Sequence, residues 1–237
     1  MGMISNNLQT VTAQIRAACV DCGRNPNEVS LLAVSKTWGT QAVRQAYAAG
    51  QRQFGENYIA EGVDKIVQLA DLQDAVWHMV GPIQSNKTRA VAEHFAWVHS
   101  IDQLKTAQRL SAQRPSHLPP LQICLQVNID GGANKSGVPP QALPALADAV
   151  HALPRLQLRG LMVIPEPAAD FAAACAVFNN ARALFATLQK QFPSVDTLSM
   201  GMSADMAAAV QCGSTMVRVG TAIFGQRAPR AATQVET

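Results

Sequence analysis

The sequence predicts a single (β/α)8 barrel, an α/β TIM-barrel fold in which eight parallel strands alternate with helices. The 237 residues are about the length of one such barrel. Short apolar runs alternate along the chain with longer helical runs, a pattern typical of a parallel sheet. Eight strands close a barrel. An open doubly wound sheet is the alternative, but no Gly-x-Gly-x-x-Gly follows the first strand.

The predicted elements follow from apolar spacing and from the polar, glycine and proline residues between the runs. The strands are residues 30–35, 53–54, 76–80, 97–100, 121–127, 158–164, 197–199 and 215–219. The helices are residues 8–22, 40–49, 58–72, 86–94, 101–113, 140–152, 168–191 and 204–211, and a last helix opens at residue 220. We therefore assign residues 1–226 to one barrel and the short, polar residues 227–237 to a flexible tail.

Composition restricts the class of protein. Hydrophobic residues make up 48% and charged residues 15% of the chain, as in soluble globular proteins. The net charge is +3 and no run of Lys and Arg reaches five residues, which disfavours nucleic-acid binding. No signal peptide is indicated, and we expect no apolar stretch long enough to span a bilayer. The prediction is a cytoplasmic monomer with neither nucleic-acid nor membrane partners.

The five cysteines indicate neither a disulfide framework nor a metal site. Their number is odd and the chain is large, which disfavours paired disulfides. Cys19 and Cys22 form a C-x-x-C pair, but no second Cys or His pair completes a zinc site. The pair also ends a helical stretch instead of opening a helix after a strand. We expect no metal.

Lys36 directly follows the first predicted strand, at the end of a barrel where functional residues gather. A lysine amine removed from water has a lowered pKa, and its neutral form attacks aldehydes to give a Schiff base. A lysine that extends its charge into solvent is the ordinary alternative.

Other strand ends carry weaker candidates. Asn57 follows the second strand, where it is suited either to bond a ligand hydroxyl or to cap a helix. His78, between apolar neighbours, fits a buried and hydrogen-bonded core position better than a metal site. Lys135, after the fifth strand, is an anion contact, a second amine, or part of a mobile surface loop.

The loops after the last two strands have the composition of a phosphate site. TIM barrels often bind phosphate at these loops and at the N-terminus of a short extra helix. Gly220 allows the backbone to approach a ligand closely. Backbone N–H groups of Gly220 and Thr221 would point at an anion, and the hydroxyls of Ser203 and Thr221 can donate to it. Two ordinary glycine-containing turns are the alternative.

A Schiff-base lysine and a phosphate site at one barrel mouth describe a ligand with an aldehyde and a phosphate, and pyridoxal 5′-phosphate (PLP) is such a ligand. Arg218 adds to this interpretation. An arginine beside the pyridine nitrogen does not lose its proton and keeps that nitrogen unprotonated. The ring is then a weaker electron sink than it is with an acidic partner.

Eight segments, in order and across nearly the whole chain, resemble the PLP homeostasis protein family. They are LLAVSKT (31–37), GQRQFGENY (50–58), EGVDKI (61–66), WHMVGPIQSNK (77–87), VNIDGGANKSG (127–137), RGLMVIP (159–165), LSMGMSADM (198–206) and GSTMVRVGTAIFG (213–225). The resemblance implies a barrel like the N-terminal domain of alanine racemase, the fold-type III class of PLP proteins. It also implies an internal aldimine at Lys36, with Arg218 facing the pyridine nitrogen.

The residue chemistry and the family resemblance together predict a set of cofactor-binding residues. They are Lys36, Asn57, Met200, Gly201, Ser203, Arg218, Gly220 and Thr221. In this family Asn57 would lie near the ring, Met200 and Gly201 would line the pocket, and the last loops would hold the phosphate. The resemblance implies that the protein buffers or delivers PLP, and so influences amino-acid and keto-acid balance, without a defined turnover or catalytic residue. PLP-requiring apoenzymes are the implied partners.

The alternative function is that of an amino-acid racemase. Racemisation needs a base on each face of the substrate α-carbon, and Lys36 could supply one. The only tyrosines are Tyr47 and Tyr58, and the sequence shows no second domain to supply the other base. The chain also departs from its relatives, with Trp38 where many have Lys and Asn134 where an acid is common. Trp38 leaves Lys135 as the main candidate for a second amine.

Overall fold

The structure is a computed structural model that describes residues 2–132 and 135–226. Eight parallel strands form a closed barrel in sequence order. They are β1 (Ser30–Val34), β2 (Gln53–Glu56), β3 (Val76–Met79), β4 (Trp97–Ile101), β5 (Leu121–Val127), β6 (Leu156–Val163), β7 (Thr197–Ser199) and β8 (Met216–Val219). The barrel closes because β8 pairs with β1, in a register that runs from Ser30 opposite Met216 to Ala33 opposite Val219. The predicted fold class is confirmed.

The helices surround the barrel, as the alternating pattern predicts. They are α1 (Met3–Asp21), α2 (Thr40–Ala48), α3 (Ile59–Gln68), α4 (Thr88–His94), α5 (Leu104–Gln113), α6 (Leu143–His151), α7 (Phe171–Gln191), α8 (Met206–Gln211) and α9 (Thr221–Phe224). Short 3-10 turns precede α4 and α6, where the sequence predicts continuous helix. The predicted tail, residues 227–237, and the loop residues 133–134 lie outside the described residues.

Helix ends differ from prediction where a local contact decides them. The helix α1 begins five residues early, since Ile4 continues the buried stripe of Leu8, Val11 and Ile15. The helix α7 begins later than predicted because the Asp170 side chain accepts a hydrogen bond from the Ala173 N–H and caps it.

The helix α7 corrects one expectation. Within the described residues it is the one helix long and apolar enough, by length and composition, to cross a membrane. Such a helix is weak evidence of a membrane span, because a core helix passes the same test. The residues Ala174, Phe178, Ala181, Phe185 and Leu188 recur at helical spacing and are buried. The helix contacts β6 and α8, so this stripe is accounted for by packing against the barrel.

The main apolar core lies between the strands and the helices, where almost all large buried side chains form one cluster. A second and much smaller cluster joins Leu32, Val80 and Met216. Polar side chains from opposite sides of the barrel, on β3, β4, β7 and β8, are bonded to one another and fully or almost fully buried. The barrel interior below the mouth is therefore partly polar.

All five cysteines are free thiols, so Cys19 and Cys22 do not form a disulfide. Within the described residues, no cluster of His, Cys, Asp and Glu has the arrangement of a metal site.

Candidate functional site

A cavity of about 470 Å³ opens at the carboxyl ends of the strands. This volume is within the usual range for sites that bind small molecules. Six of the eight residues predicted from the sequence line it, and they come from the ends of β1, β2, β7 and β8. They are Lys36, Asn57, Ser203, Arg218, Gly220 and Thr221. Trp38 also lines the cavity, and its ring stacks on that of Phe224 in α9.

Met200 and Gly201 are not among the residues that line this cavity, and their expected place beside a cofactor stays a prediction. Met200 is fully buried in the apolar core. Gly201 has a φ of +93°, and a Cβ there would lie 2.4 Å from the Cβ of Ala209. The carbonyl of Gly201 accepts a hydrogen bond of 3.0 Å from the Arg218 N–H. These two residues shape the loop after β7 by packing it against α8.

Lys36 reaches the cavity because of the alternation of side chains along β1. Leu32 is fully buried in the small interior cluster, and Val34 and Lys36 both line the cavity. Residues two apart in a strand point to the same face, so Lys36 continues the inward-facing row at the barrel mouth. Its side chain is partly buried.

The backbone on both sides of Lys36 is held by side chains from β2 and α3. The Lys65 Nζ donates to the Ser35 carbonyl at 2.7 Å, and the Ser35 hydroxyl donates to Glu56 Oε1 at 2.6 Å. The Thr37 N–H donates to Glu61 Oε1 at 2.5 Å. Thr37 has a φ of +68°, in the left-handed region that β-branched residues rarely adopt. The segment that carries Lys36 is thus fixed at its two ends.

An ion-pair cluster supplies these contacts, in which Glu56 and Lys65 are buried and Glu61 is partly exposed. Lys65 Nζ lies 2.7 Å from Glu56 Oε1 and 2.7 Å from Glu61 Oε1, and the Lys65 side chain is only 4% exposed. Burial raises the pKa of the Glu56 carboxyl, against the opposing effects of Lys65 and Ser35. The sequence analysis assigned no role to this cluster. The spacing of Gly62, Lys65 and Leu69 is a sequence signal that could have revealed the cluster. It places a lysine on the barrel-facing side of α3.

Arg218 brings a buried positive charge to the cavity. Its Nη1 donates to the Ser199 carbonyl at 2.7 Å and to the Ser199 hydroxyl at 2.8 Å, and its Nη2 donates to the Val163 carbonyl at 2.9 Å. These acceptors are uncharged. Burial lowers the pKa of the guanidinium to about 10, which still leaves it protonated at neutral pH.

A chain of hydrogen bonds runs from Arg218 into the barrel. His99 Nδ1 lies 3.0 Å from the Ser199 hydroxyl, and His99 Nε2 lies 2.9 Å from His78 Nδ1. Because arginine only donates, the Ser199 proton is free to go to His99 Nδ1, and His99 then donates from Nε2 to His78. Both rings are neutral in this assignment. The lone pair of His99 Nδ1 faces Ser199 and that of His78 Nδ1 faces His99, so each points toward Arg218.

Burial accounts for the state of the two histidines. It lowers the pKa of His78 to about 3. Burial also lowers the pKa of His99 well below its ordinary value, with further lowering by His78 and Arg218. The prediction of a buried, hydrogen-bonded His78 is confirmed. The link from His78 to Arg218 was not predicted.

The loops expected to hold an anion present their polar groups to the cavity. The Ser203 and Thr221 residues are exposed there, and Gly220 caps α9 by accepting hydrogen bonds of 2.9 Å from the Ile223 and Phe224 N–H groups. A Cβ on Gly220 would lie 3.0 Å from the Val34 carbonyl oxygen. Glycine therefore allows the β8–α9 turn to lie directly against β1, next to Lys36.

Asn57 does not cap a helix. The helix α3 begins at Ile59 with Tyr58 as its N-cap residue, while Asn57 lines the cavity. Of the two interpretations that the sequence left open for Asn57, helix capping is wrong, and contact with a ligand stays a prediction.

Lys135 lies outside this cavity. It forms ion pairs with Asp130 at 2.7 Å and with Glu166 at 3.1 Å, and it lines an adjoining cavity of about 550 Å³. Burial acts to lower the pKa of Lys135, but its hydrogen bonds to the two carboxylates outweigh this effect and raise the pKa. The Lys135 amine is thus held in its charged form, which is not nucleophilic. The departure at Asn134 lies outside the described residues.

Together the cavity presents an amine, a guanidinium, two hydroxyls and the start of a short helix. This set fits a small anionic molecule with a carbonyl group, because the amine can condense with the carbonyl and the other groups can bond to the anion.

Comparison with known proteins identifies the family. Residues 7–228 match the family described as alanine racemase, N-terminal domain. A Pseudomonas aeruginosa protein named pyridoxal phosphate homeostasis protein is 58% identical over 227 residues, which are 96% of this chain and 97% of the relative. This chain belongs to the PLP homeostasis protein family.

Solved structures agree with this family assignment. A structure of PipY from Synechococcus elongatus with PLP bound is 40% identical and superposes with a TM-score of 0.81, covering 94% of this chain and all of that one. An alanine racemase from Corynebacterium glutamicum, at 18% identity, shares the fold with a TM-score of 0.67. It covers 93% of this chain and 62% of the racemase chain.

The depressed pKa of His78 predicts a loss of stability in acid. The unfolded chain takes up a proton near pH 6.5, whereas the folded chain does so only near pH 3, so stability falls as pH decreases below about 6.5. Between pH 8 and pH 5, His78 alone lowers the free energy of unfolding by about 2 kcal/mol. Urea unfolding of the His78→Gln variant at the two pH values should show a pH-dependent loss smaller by that amount. Replacement of the exposed His117 by Gln is the control and should leave the loss unchanged. Equal losses in the two variants would contradict the assignment.

Proposed function

We propose that this protein binds PLP covalently through Lys36 and acts in PLP homeostasis by buffering or delivering the cofactor. The observation that carries the proposal is the convergence of Lys36, Arg218 and the Ser203 and Thr221 hydroxyls on one cavity. Relatives named PLP homeostasis protein and a PLP-bound structure of PipY support it.

The covalent step follows from the chemistry of a lysine amine. PLP supplies an electrophilic aldehyde. The neutral Lys36 amine attacks the aldehyde carbon, a C=N bond replaces the C=O bond, and the oxygen leaves as water with both amine protons. Lys36 lies partly buried on the cavity wall, where its amine would meet the aldehyde.

The remaining residues would orient the ring and its phosphate. Arg218 would face the pyridine nitrogen and, as a permanent donor, keep it unprotonated. Ser203 and Thr221 would donate hydroxyl hydrogens to the phosphate, and the backbone at Gly220 would approach it closely. Asn57 would contact the ring from the end of β2. This arrangement would make the ring a weak electron sink, which suits storage of PLP better than carbanion chemistry.

The geometry gives the racemase alternative little support. The hydroxyl of Tyr47 donates to Asp74 on the outer surface, and Tyr58 is 54% exposed. Neither tyrosine lines the cavity that contains Lys36. A second base on the opposite face of a substrate would have to come from another group.

The wider setting also belongs to the proposal. We take residues 1–226 as the PLP-binding unit and residues 227–237 as a tail that the site does not require. The protein would act as a cytoplasmic monomer, with PLP-requiring apoenzymes as recipients and with no nucleic-acid or membrane partner.

Titration with PLP tests the site. The wild-type protein should develop a visible absorption band as the Schiff base forms, and the Lys36→Ala variant should not. Lys87, an exposed lysine that follows β3 and is outside the cavity lining, is the matched control, and Lys87→Ala should behave as wild type. The Thr221→Val variant should bind PLP about tenfold more weakly, the usual effect of losing a hydrogen bond to a charged group. An undiminished band in Lys36→Ala would refute the proposal.

An activity assay separates homeostasis from racemisation. PLP-loaded protein incubated with L-alanine should give no D-alanine above a blank of free PLP, because the cavity has no tyrosine base opposite Lys36. A bona fide racemase assayed in parallel verifies detection. Turnover that disappears in Lys36→Ala would instead establish the racemase function.

A further inference from the structure

The side-chain contacts to Ser35 and Thr37, on either side of Lys36, come from the cluster of Glu56, Glu61 and Lys65, in which Glu61 is partly exposed. On one side, the Ser35 carbonyl accepts from Lys65 and the Ser35 hydroxyl donates to Glu56. On the other side, the Thr37 N–H donates to Glu61. The cluster therefore holds the residues before and after Lys36, while none of its three members lines the cavity.

The bond from Thr37 to Glu61 acts at a strained position. A β-branched residue with a φ of +68° is a backbone outlier, and such conformations persist only when the surroundings hold them. Here the acceptor is a carboxylate, and hydrogen bonds to charged groups are stronger than neutral ones. The turn is completed by a hydrogen bond of 3.1 Å from the Trp38 N–H to the Ser35 carbonyl.

Glu61 is itself held in place by the rest of the cluster. Its Oε1 lies 2.7 Å from the Lys65 Nζ, one helical turn further along α3. Lys65 is anchored in turn by Glu56, which is fully buried. The cluster thus links the orientation of α3 to the conformation of the Lys36 segment.

We propose that Glu61 is a positioning residue for Lys36. Its carboxylate holds Thr37 in the left-handed conformation and so fixes the peptide that follows Lys36, which keeps the inward-facing Lys36 side chain in the cavity before the ligand arrives. Without this bond the Thr37 backbone relaxes to an ordinary φ, and the amine no longer stands opposite the aldehyde. This inference rests on the proposed PLP-binding function and adds to it a residue outside the cavity.

Comparing two ligands distinguishes an effect on the position of the Lys36 amine from an effect on the shape of the cavity. PLP can form a bond with Lys36, whereas pyridoxine 5′-phosphate has a hydroxymethyl group instead of the aldehyde and cannot. The Glu61→Ala variant should bind PLP about tenfold more weakly and form the visible band more slowly. Its affinity for pyridoxine 5′-phosphate should equal that of the wild type.

Two further variants test the mechanism itself. Glu61→Gln keeps an acceptor oxygen for the Thr37 N–H and should recover most of the PLP affinity. Asparagine adopts the left-handed conformation more readily than threonine, so adding Thr37→Asn to Glu61→Ala should also restore affinity. Glu93→Ala is the matched control, because it removes a glutamate from another pair of this spacing, Arg89 with Glu93 in α4. It should change neither ligand's binding.

The possible outcomes are distinct. Wild-type PLP affinity and rate in Glu61→Ala would overturn this proposal while leaving the PLP site intact. Equal weakening of both ligands, or failure of both rescue variants, would show that Glu61 supports the fold generally and would also overturn it. A wild-type protein that binds the two ligands alike and forms no covalent bond would overturn the proposed function, and this inference with it.

Discussion

The pairing of β8 with β1 is the constraint on which the site depends. It places Val219 opposite Ala33, so that Arg218 and the Gly220 turn lie beside β1, the strand that precedes Lys36. The Lys36 amine and the loops proposed to bind an anion are at opposite ends of the sequence, and closure of the barrel brings them together. Gly220 allows the closest approach, since any side chain there would crowd the Val34 carbonyl. Closure of the eight-stranded barrel therefore sets the geometry of the cavity.

Two buried cations contribute to this region, Arg218 on the cavity wall and Lys65 behind the Lys36 segment, and the chain satisfies them differently. Lys65 is paired with two carboxylates, which hold the backbone around Lys36. Arg218 is bonded to neutral oxygens, with two neutral histidines behind them. The Arg218 guanidinium, whose bonded acceptors are neutral, keeps its positive charge available to attract an anionic ligand. The Lys65 ammonium, which is paired with carboxylates, makes the surrounding backbone rigid. In the proposed function, Arg218 would serve recognition of the ligand and Lys65 would serve positioning of Lys36.

Sequence analysis recovered the fold, the order of its elements and six residues of the cavity, because strand ends and glycine turns leave local signals. It did not find the Glu56–Glu61–Lys65 cluster or the path from Arg218 to His78, since these partners come from different elements whose contacts no local pattern records. Met200 and Gly201 lie outside the cavity lining, since a loop motif does not show which of its residues face the core. The apolar composition of α7 was underestimated because alanines dilute its buried stripe.

The central claim is that Lys36 forms the covalent bond. The most direct measurement is borohydride reduction of the PLP-loaded protein, followed by proteolysis and mass spectrometry of the modified peptides. The account predicts that the pyridoxyl phosphate mass lies predominantly on the peptide that contains Lys36. A label found mainly on Lys135, or distributed among surface lysines, would contradict it.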